Sequence, residues 1–211
     1  MNEQDVLTAM AQVRNTPKRK FKQSVDLVFN LQNIDFKNPS NRIDLKVILP
    51  QGRGKDLKVG LFGDTDFLGK AKNADLKITD KEIKKTPKEM RKVAESMDFF
   101  IAQANLMVEI GKGWGKYLST RGKMPQPLPP AADPTPMVTR FKNTITLKSK
   151  GNTPQTISCS IGTEDMADSQ LAANTVAVYN ALVEKLPTRE NNIKTVMIKQ
   201  TMGPAVKLIS K

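Results

Sequence analysis

Apolar and polar residues alternate strictly in two early stretches of the chain. Ser24–Leu31 places Val25, Leu27, Phe29 and Leu31 on one side, and Arg42–Leu49 does the same with Ile43, Leu45, Val47 and Leu49. A period of two predicts strands with one covered and one open face, the habit of an antiparallel sheet. Ahead of them, residues 2–14 set Val6, Met10 and Val13 at helical spacing. The same style returns late in the chain. Thr144–Lys148 and Thr156–Ile161 read as strands joined through Lys150-Gly151-Asn152. Asp168 then reads as the cap of a helix carrying Leu171, Thr175, Val178, Leu182 and Leu186. Ile193–Gln200 and Ala205–Ile209 are strands separated by Thr201-Met202-Gly203-Pro204.

The middle of the chain has a different rhythm. After Pro50-Gln51-Gly52-Arg53-Gly54-Lys55, a glycine-punctuated basic linker, an apolar strand is expected at Leu57–Phe62 and a short helix at Thr65–Lys72. A brief strand at Asp75–Ile78 follows. Thr86-Pro87-Lys88-Glu89 is a capping box with Pro at the first helical position, opening a helix through Met97. Asp98–Ala102 is a buried strand and Asn105–Ile110 begins another helix, before a proline-rich stretch from Pro125 to Pro136. Strand–helix alternation implies a small parallel sheet. The expected architecture is an α+β terminal domain plus an inserted α/β Rossmann-like domain. The first, residues 1–52 with 150–211, is an antiparallel sheet with helices on one face, split by the insertion; the second is residues 53–149. Gly52, Gly54, Lys150 and Gly151 mark the expected hinge.

Composition narrows the chemistry. The 211 residues carry 34 Lys+Arg against 21 Asp+Glu, a net charge of +13, and no His. Such a surplus points to a polyanionic partner. Without His no Ser–His or Cys–His nucleophile pair and no His-ligated metal site can be built. Cys159 stands alone, which excludes disulfides and thiolate zinc clusters. No membrane span and no secretory signal are legible, so the expected setting is the cytoplasm, with no cofactor. Residues 53–149 hold 19 Lys+Arg against 11 Asp+Glu, which makes the insertion the expected seat of the surplus. The tightest cluster, Lys18-Arg19-Lys20-Phe21-Lys22, lies outside it.

Each candidate site has two readings. Lys18–Lys22 either grips phosphates while Phe21 packs on a sugar or base, or is a solvated basic loop whose Phe staples the core. Gly52-Arg53-Gly54-Lys55 and Gly111-Lys112-Gly113-Trp114-Gly115-Lys116 lack the spacings of phosphate-binding glycine loops. Asp64-Thr65-Asp66 after an apolar strand could hold Mg²⁺ for phosphoryl transfer, while Asp66 serves equally as a helix cap. Thr201-Met202-Gly203-Pro204 is either an ordinary hairpin or a turn whose hydroxyl and bare backbone meet a ribose.

Several of these stretches together carry a resemblance. They are Phe21-Lys22-Gln23-Ser24-Val25-Asp26-Leu27, Leu49–Lys55, Arg121-Gly122-Lys123-Met124-Pro125, Ile161-Gly162-Thr163 and Thr201–Lys207. In order, and over essentially the whole chain, the sequence resembles the universal large-ribosomal-subunit protein number one family, stalk RNA-binding proteins, in its archaeal form. Ser119-Thr120 and Gln51 depart from the family pattern. The resemblance implies a ribosomal, non-enzymatic protein that binds large-subunit rRNA at the mobile stalk near the tRNA exit site. It also implies exit-site tRNA as a partner, repression of translation through the protein's own mRNA, and a monomer off the ribosome. By motif matching, Lys20, Phe21, Ser24 and Asp26 join Thr201, Met202 and Gly203 in the RNA site, with Lys18 and Arg19 beside them and Thr195 on the preceding strand. The competing readings are a Mg²⁺-dependent phosphotransferase at Asp64 and Asp66 and a nonspecific nucleic-acid chaperone.

Overall fold

The computed structural model describes residues 2–15, 19–36, 38, 41–71, 73–83, 86–149 and 155–210. Two compact units form, Met1–Lys55 with Asn143–Lys211, and Asp56–Lys142.

In the discontinuous unit, four strands lie in the order β10-β9-β1-β8: β1 Ser24–Leu31, β8 Thr156–Thr163, β9 Ile193–Gln200 and β10 Val206–Ser210. All three pairings are antiparallel. The alternation read from the sequence fixes the faces. Val25, Leu27, Phe29 and Leu31 join Ile157, Cys159 and Ile161 of β8 and Val196 and Ile198 of β9 in one core. The same core takes Val6, Met10 and Val13 of α1 (Glu3–Arg14) and Leu171, Val178 and Leu182 of α7 (Asp168–Lys185). Burying each such side chain stabilises the fold by roughly 1.5–3 kcal/mol before entropy is charged. Arg14 locks the two helices, its Nε donating to Asp168 at 2.6 Å and its guanidinium also to the Glu164 and Met166 carbonyls. Asp168 is therefore the first helical residue and Arg14's partner rather than the cap; Ala167 holds the cap position, its N–H bound by the Gln170 side chain at 3.3 Å.

One pairing differs from the sequence reading. Thr144–Lys148 (β7) pairs antiparallel with β2, Asp44–Ile48, in a separate ribbon, not with β8. That ribbon belongs to the discontinuous unit, because Val47, Ile145 and Leu147 enter its core. The insertion consequently ends at Lys142, and Arg53, Lys55 and Lys148 leave it. It retains 16 Lys+Arg against 11 Asp+Glu, while the discontinuous unit holds 18 against 10. The insertion is not the seat of the charge.

The inserted unit is a parallel sheet in the order β4-β3-β5-β6: β3 Val59–Gly63, β4 Leu76–Thr79, β5 Phe99–Gln103 and β6 Gln126–Leu128. Both faces are covered. Phe62, Phe100 and Ala102 meet Met90 and Ala94 of α3 (Pro87–Ser96), Ile110 of α4 (Met107–Gly113) and Leu118 of α5 (Gly115–Ser119). Val59, Leu61 and Ile101 meet Phe67 and Leu68 of α2 (Thr65–Lys70) and Val138 and Phe141 of α6 (Thr135–Lys142). Trp114 is fully buried, its indole N–H donating to the Ile83 carbonyl at 2.8 Å. Strand β6 runs through the proline-rich stretch: Pro127 is tolerated because β6 is an edge strand with only β5 beside it. Among the described residues, no helix is long and apolar enough to cross a membrane.

Candidate nucleic-acid interface

The Thr201–Gly203 turn closes the β9–β10 hairpin, with the Gly203 N–H donating to the Gln200 carbonyl at 2.9 Å. The start of β1 holds it from beneath. The Thr201 N–H and hydroxyl both donate to the Ser24 carbonyl, at 3.0 and 3.1 Å, and the hydroxyl also lies 3.3 Å from Asp26 Oδ2. The Met202 N–H donates to Gln23 Oε1 at 3.2 Å, and Gln23 Nε2 to Gln200 Oε1 at 3.1 Å, both glutamines being buried. The turn is thereby preorganised. Above this scaffold Met202 is 62% and Phe21 54% exposed. Two large apolar side chains therefore stand open within a few residues of the fixed polar groups.

The hydroxyl proton of Thr201 is committed to Ser24 and Asp26, so its oxygen is left to accept, as a ribose 2′-OH requires. Gly203 does not have the positive φ of Gly52, Gly54 and Gly122. The nearest atoms to a Cβ built on Gly203 belong to Gln200, whose Cβ lies at 3.3 Å, a tight contact with a buried strand residue.

Asp26 is half-buried under the turn. Burial pushes its carboxyl above the usual range, while the Thr201 hydroxyl, Lys199 and Arg53 pull it back. The charged form thus costs stability above the ordinary carboxylate pKa. Asp26→Asn should raise the denaturation midpoint at pH 7, and the gain should fade as the pH falls below about 4, where the carboxyl becomes protonated in both the folded and the unfolded state. Urea titrations across that range check this; a gain that grows in acid would reverse the assignment.

Sequence reasoning missed part of this surface. Lys199 lies opposite Asp26 on β9, and Arg53, whose buried Nε has no hydrogen-bond partner among the described residues, acts on the same carboxylate. Gln23 and Gln200 carry the turn. Only their place within the matched stretches or beside the turn hinted at them. The open face of the sheet continues the surface: Ser160, Asp26 and Lys199 face one another across three strands, then Ser158, Val28 and Met197, then Thr156, Asn30 and Thr195. Thr156 donates to Asn30 at 2.9 Å, and Asn30 to Thr195 at 2.7 Å. The half of each strand left out of the core was the available signal. Thr195 is not brought to the turn, since six residues of strand rise, roughly 20 Å, separate it from Thr201.

The basic cluster divides. Lys18 lies outside the described residues, Arg19 and Lys20 are exposed, and Lys22 is bound to Asp165 at 2.8 Å, which raises its pKa. Of the expected hinge residues, Lys150 and Gly151 also lie outside the described residues, and the chain re-enters its first unit earlier, at Asn143. Gly52 and Gly54 belong to that unit. The Gly52 carbonyl accepts from Asn174 at 2.8 Å, and Gly54 packs against Thr163 and Met166. Both have φ of +70°, a conformation that suits glycine.

Asp64 and Asp66 stand at the start of α2, where the Asp64 N–H is held by Gln103 and its carbonyl by Leu68. No group of three acidic, Cys or His residues that could hold a metal occurs among the described residues. Gly111, Gly113 and Gly115 lie in α4 and α5, where a Cβ would meet open space, so no tight loop requires them. Cys159 is buried and its thiol is pushed up to about 12 by burial and Asp26. It should resist a thiol-reactive dye at pH 8 until urea unfolds the chain; rapid labelling of the folded protein would contradict that placement.

The model of the ribosomal protein L1p/L10e family matches residues 13–204. Similar proteins include the large ribosomal subunit protein uL1 of Archaeoglobus fulgidus, 42% identical over 93% of each chain. That of Methanothrix thermoacetophila is 44% identical over 93% of this chain and 94% of its own. That of Pyrococcus horikoshii is 41% identical over 98% and 96%.

Proposed function

The chain belongs to the ribosomal protein L1p/L10e family, and from that premise we propose that it grips one folded element of large-subunit rRNA with the Thr201–Gly203 turn. It is a ribosomal protein of the large subunit, an rRNA binder and not an enzyme, and it works in the cytoplasmic ribosome. The phosphotransferase reading lapses with that membership. The proposed site joins Thr201, Met202 and Gly203 to Phe21, Ser24 and Asp26, with Arg19 and Lys20 at its margin. The unit built from both ends of the chain carries the specific contacts. Its place is the mobile stalk near the tRNA exit, with exit-site tRNA and the protein's own messenger as further ligands, and it is a monomer off the ribosome.

One observation carries this reading: a turn fixed by Gln23, Ser24 and Asp26 that lifts Met202 into solvent, with Phe21 also exposed two residues before Gln23. Such a surface recognises shape, since its polar atoms are immobile and its apolar atoms fit a sugar–base edge. Filter binding to large-subunit rRNA fragments tests it. One folded fragment should bind far more tightly than a scrambled strand of equal length; equal affinities would instead favour a nonspecific chaperone. Lys20→Ala should lower the slope of log affinity against log salt by about 0.7–0.9 if Lys20 meets a phosphate. An unchanged slope leaves Lys20 in solvent.

A further inference from the structure

The inserted unit holds a concavity of about 230 Å³ lined by Arg91 of α3 and by Lys116, Tyr117, Thr120 and Arg121 along and just after α5. Three cations converge on one hollow. Their arrangement is set by a single carboxylate: Glu95 accepts from Arg121 at 2.6 Å and lies 3.5 Å from Arg91 Nε. Glu95 thus aligns two guanidiniums while cancelling one charge of the three, and Lys116 has no ion-pair partner among the described residues. The Thr120 hydroxyl lies 3.2 Å from the Lys116 carbonyl and 3.3 Å from that of Tyr117, so its proton is used internally and its oxygen can only accept. Tyr117 is half-buried, packed against the α3–α5 core and lining the hollow.

The volume is below the roughly 300–1,000 Å³ of pockets for drug-sized ligands, so one small group is accommodated. Aromatic ring, aliphatic stems and an unneutralised cationic rim are the chemistry of a planar base carrying a phosphate. We propose that this hollow holds one unpaired nucleotide of an RNA strand, its base against Tyr117 and its phosphate on Lys116 and Arg91. The site is separate from the Thr201 turn and stands or falls without it.

Amide chemical-shift mapping on the full ¹⁵N-labelled chain tests the proposal with three probes: an unstructured octaribonucleotide, uridine monophosphate and inorganic phosphate. The octamer should shift the amides of Tyr117, Thr120 and Arg121 at concentrations at which the free nucleotide does not. Tyr117→Leu should weaken octamer binding roughly five- to 150-fold, the worth of one stacked base. Arg91→Gln with Lys116→Gln should lower the salt slope by about 0.7 per lost phosphate contact. Trp114 emission verifies that each variant is folded. Thr201→Val should leave the octamer's effect on these amides unchanged, which separates this site from the turn. Equal binding of the free nucleotide would make the occupant a mononucleotide. Equal binding of phosphate would leave an anion site without stacking. Shifts confined to residues around Lys20 would put the octamer elsewhere. Each of these three results overturns the proposal.

Discussion

Thr201→Val should bind the cognate rRNA fragment roughly five- to 150-fold more weakly than the native chain, a cost of about 1–3 kcal/mol for an RNA hydroxyl left without its acceptor. The shape of the side chain is kept and no charge is removed, so the loss should be similar at every salt concentration. Stability should fall little. The Ser24 carbonyl still receives the Thr201 N–H at 3.0 Å, and the deleted hydroxyl is exposed. Gly203→Ala is the companion variant. Its φ is not positive, but its Cβ would sit 3.3 Å from that of buried Gln200, so a small loss of stability is expected, and a loss of affinity in the variant that the melt shows folded reports how closely RNA approaches. Filter binding at three salt concentrations, with thermal melts of each variant, gives both readings. Native affinity in both variants would make the turn a structural closure and remove the centre of the proposed site.

Asn174→Ala should produce the largest loss of stability, on the order of 3–5 kcal/mol. Asn174 is fully buried on α7 and satisfies three backbone groups: its amide donates to the Gly52 and Ile161 carbonyls at 2.8 and 2.9 Å, and its Oδ1 accepts the Gln51 N–H at 3.1 Å. Truncation strands these groups, at about 1–3 kcal/mol for each one that water cannot reach. Asn174→Asp also loses both donors and turns a buried carboxylate toward the two carbonyls, so at pH 7 it should be no more stable than the alanine variant. Urea unfolding measures the series. A loss under about 1 kcal/mol for the alanine variant would mean that water restores the bonds. The consequence for function is local, because the segment fastened this way includes the neighbour of Arg53, which acts on Asp26 under the turn.

What could be read from the sequence followed periodicity. Val25, Leu27, Phe29 and Leu31 announced both the strand and its buried face, because alternation records burial directly. Partnership was less visible. Strand β7 looked like a neighbour of β8 because a Gly-containing link joins them, yet it pairs with β2, nearly a hundred residues earlier in the chain. Nothing local encodes that choice. Strand β6 was hidden because its centre is Pro127, a residue that argues against strands except at an edge, and edges are properties of the finished sheet. The turn was legible because Thr201, Met202 and Gly203 are consecutive. Its supports, Gln23 and Gln200, were not: buried polar partners that lie 177 residues apart carry no local signature. Asn174 hid for the same reason. On the helix it reads as one polar residue among apolar ones, and its worth appears only when three backbone groups converge on it.

The pairing of β1 also sets an order of events during synthesis. Its two neighbours, β8 and β9, begin at Thr156 and Ile193, whereas the inserted unit is complete at Lys142. A ribosome adding about 5–20 residues per second leaves β1 without a neighbour for roughly 6–25 s after it is made, while the insertion can already close. During that interval the stripe of Val25, Leu27, Phe29 and Leu31 has no sheet to enter and is the natural client of a chaperone. The turn at Thr201–Gly203 is made later still, after β9, so the proposed gripping turn is among the last parts of the described fold to form. The proposed hold through that turn therefore belongs to chains that have completed β9, whereas the hollow in the inserted unit is built as soon as that unit closes.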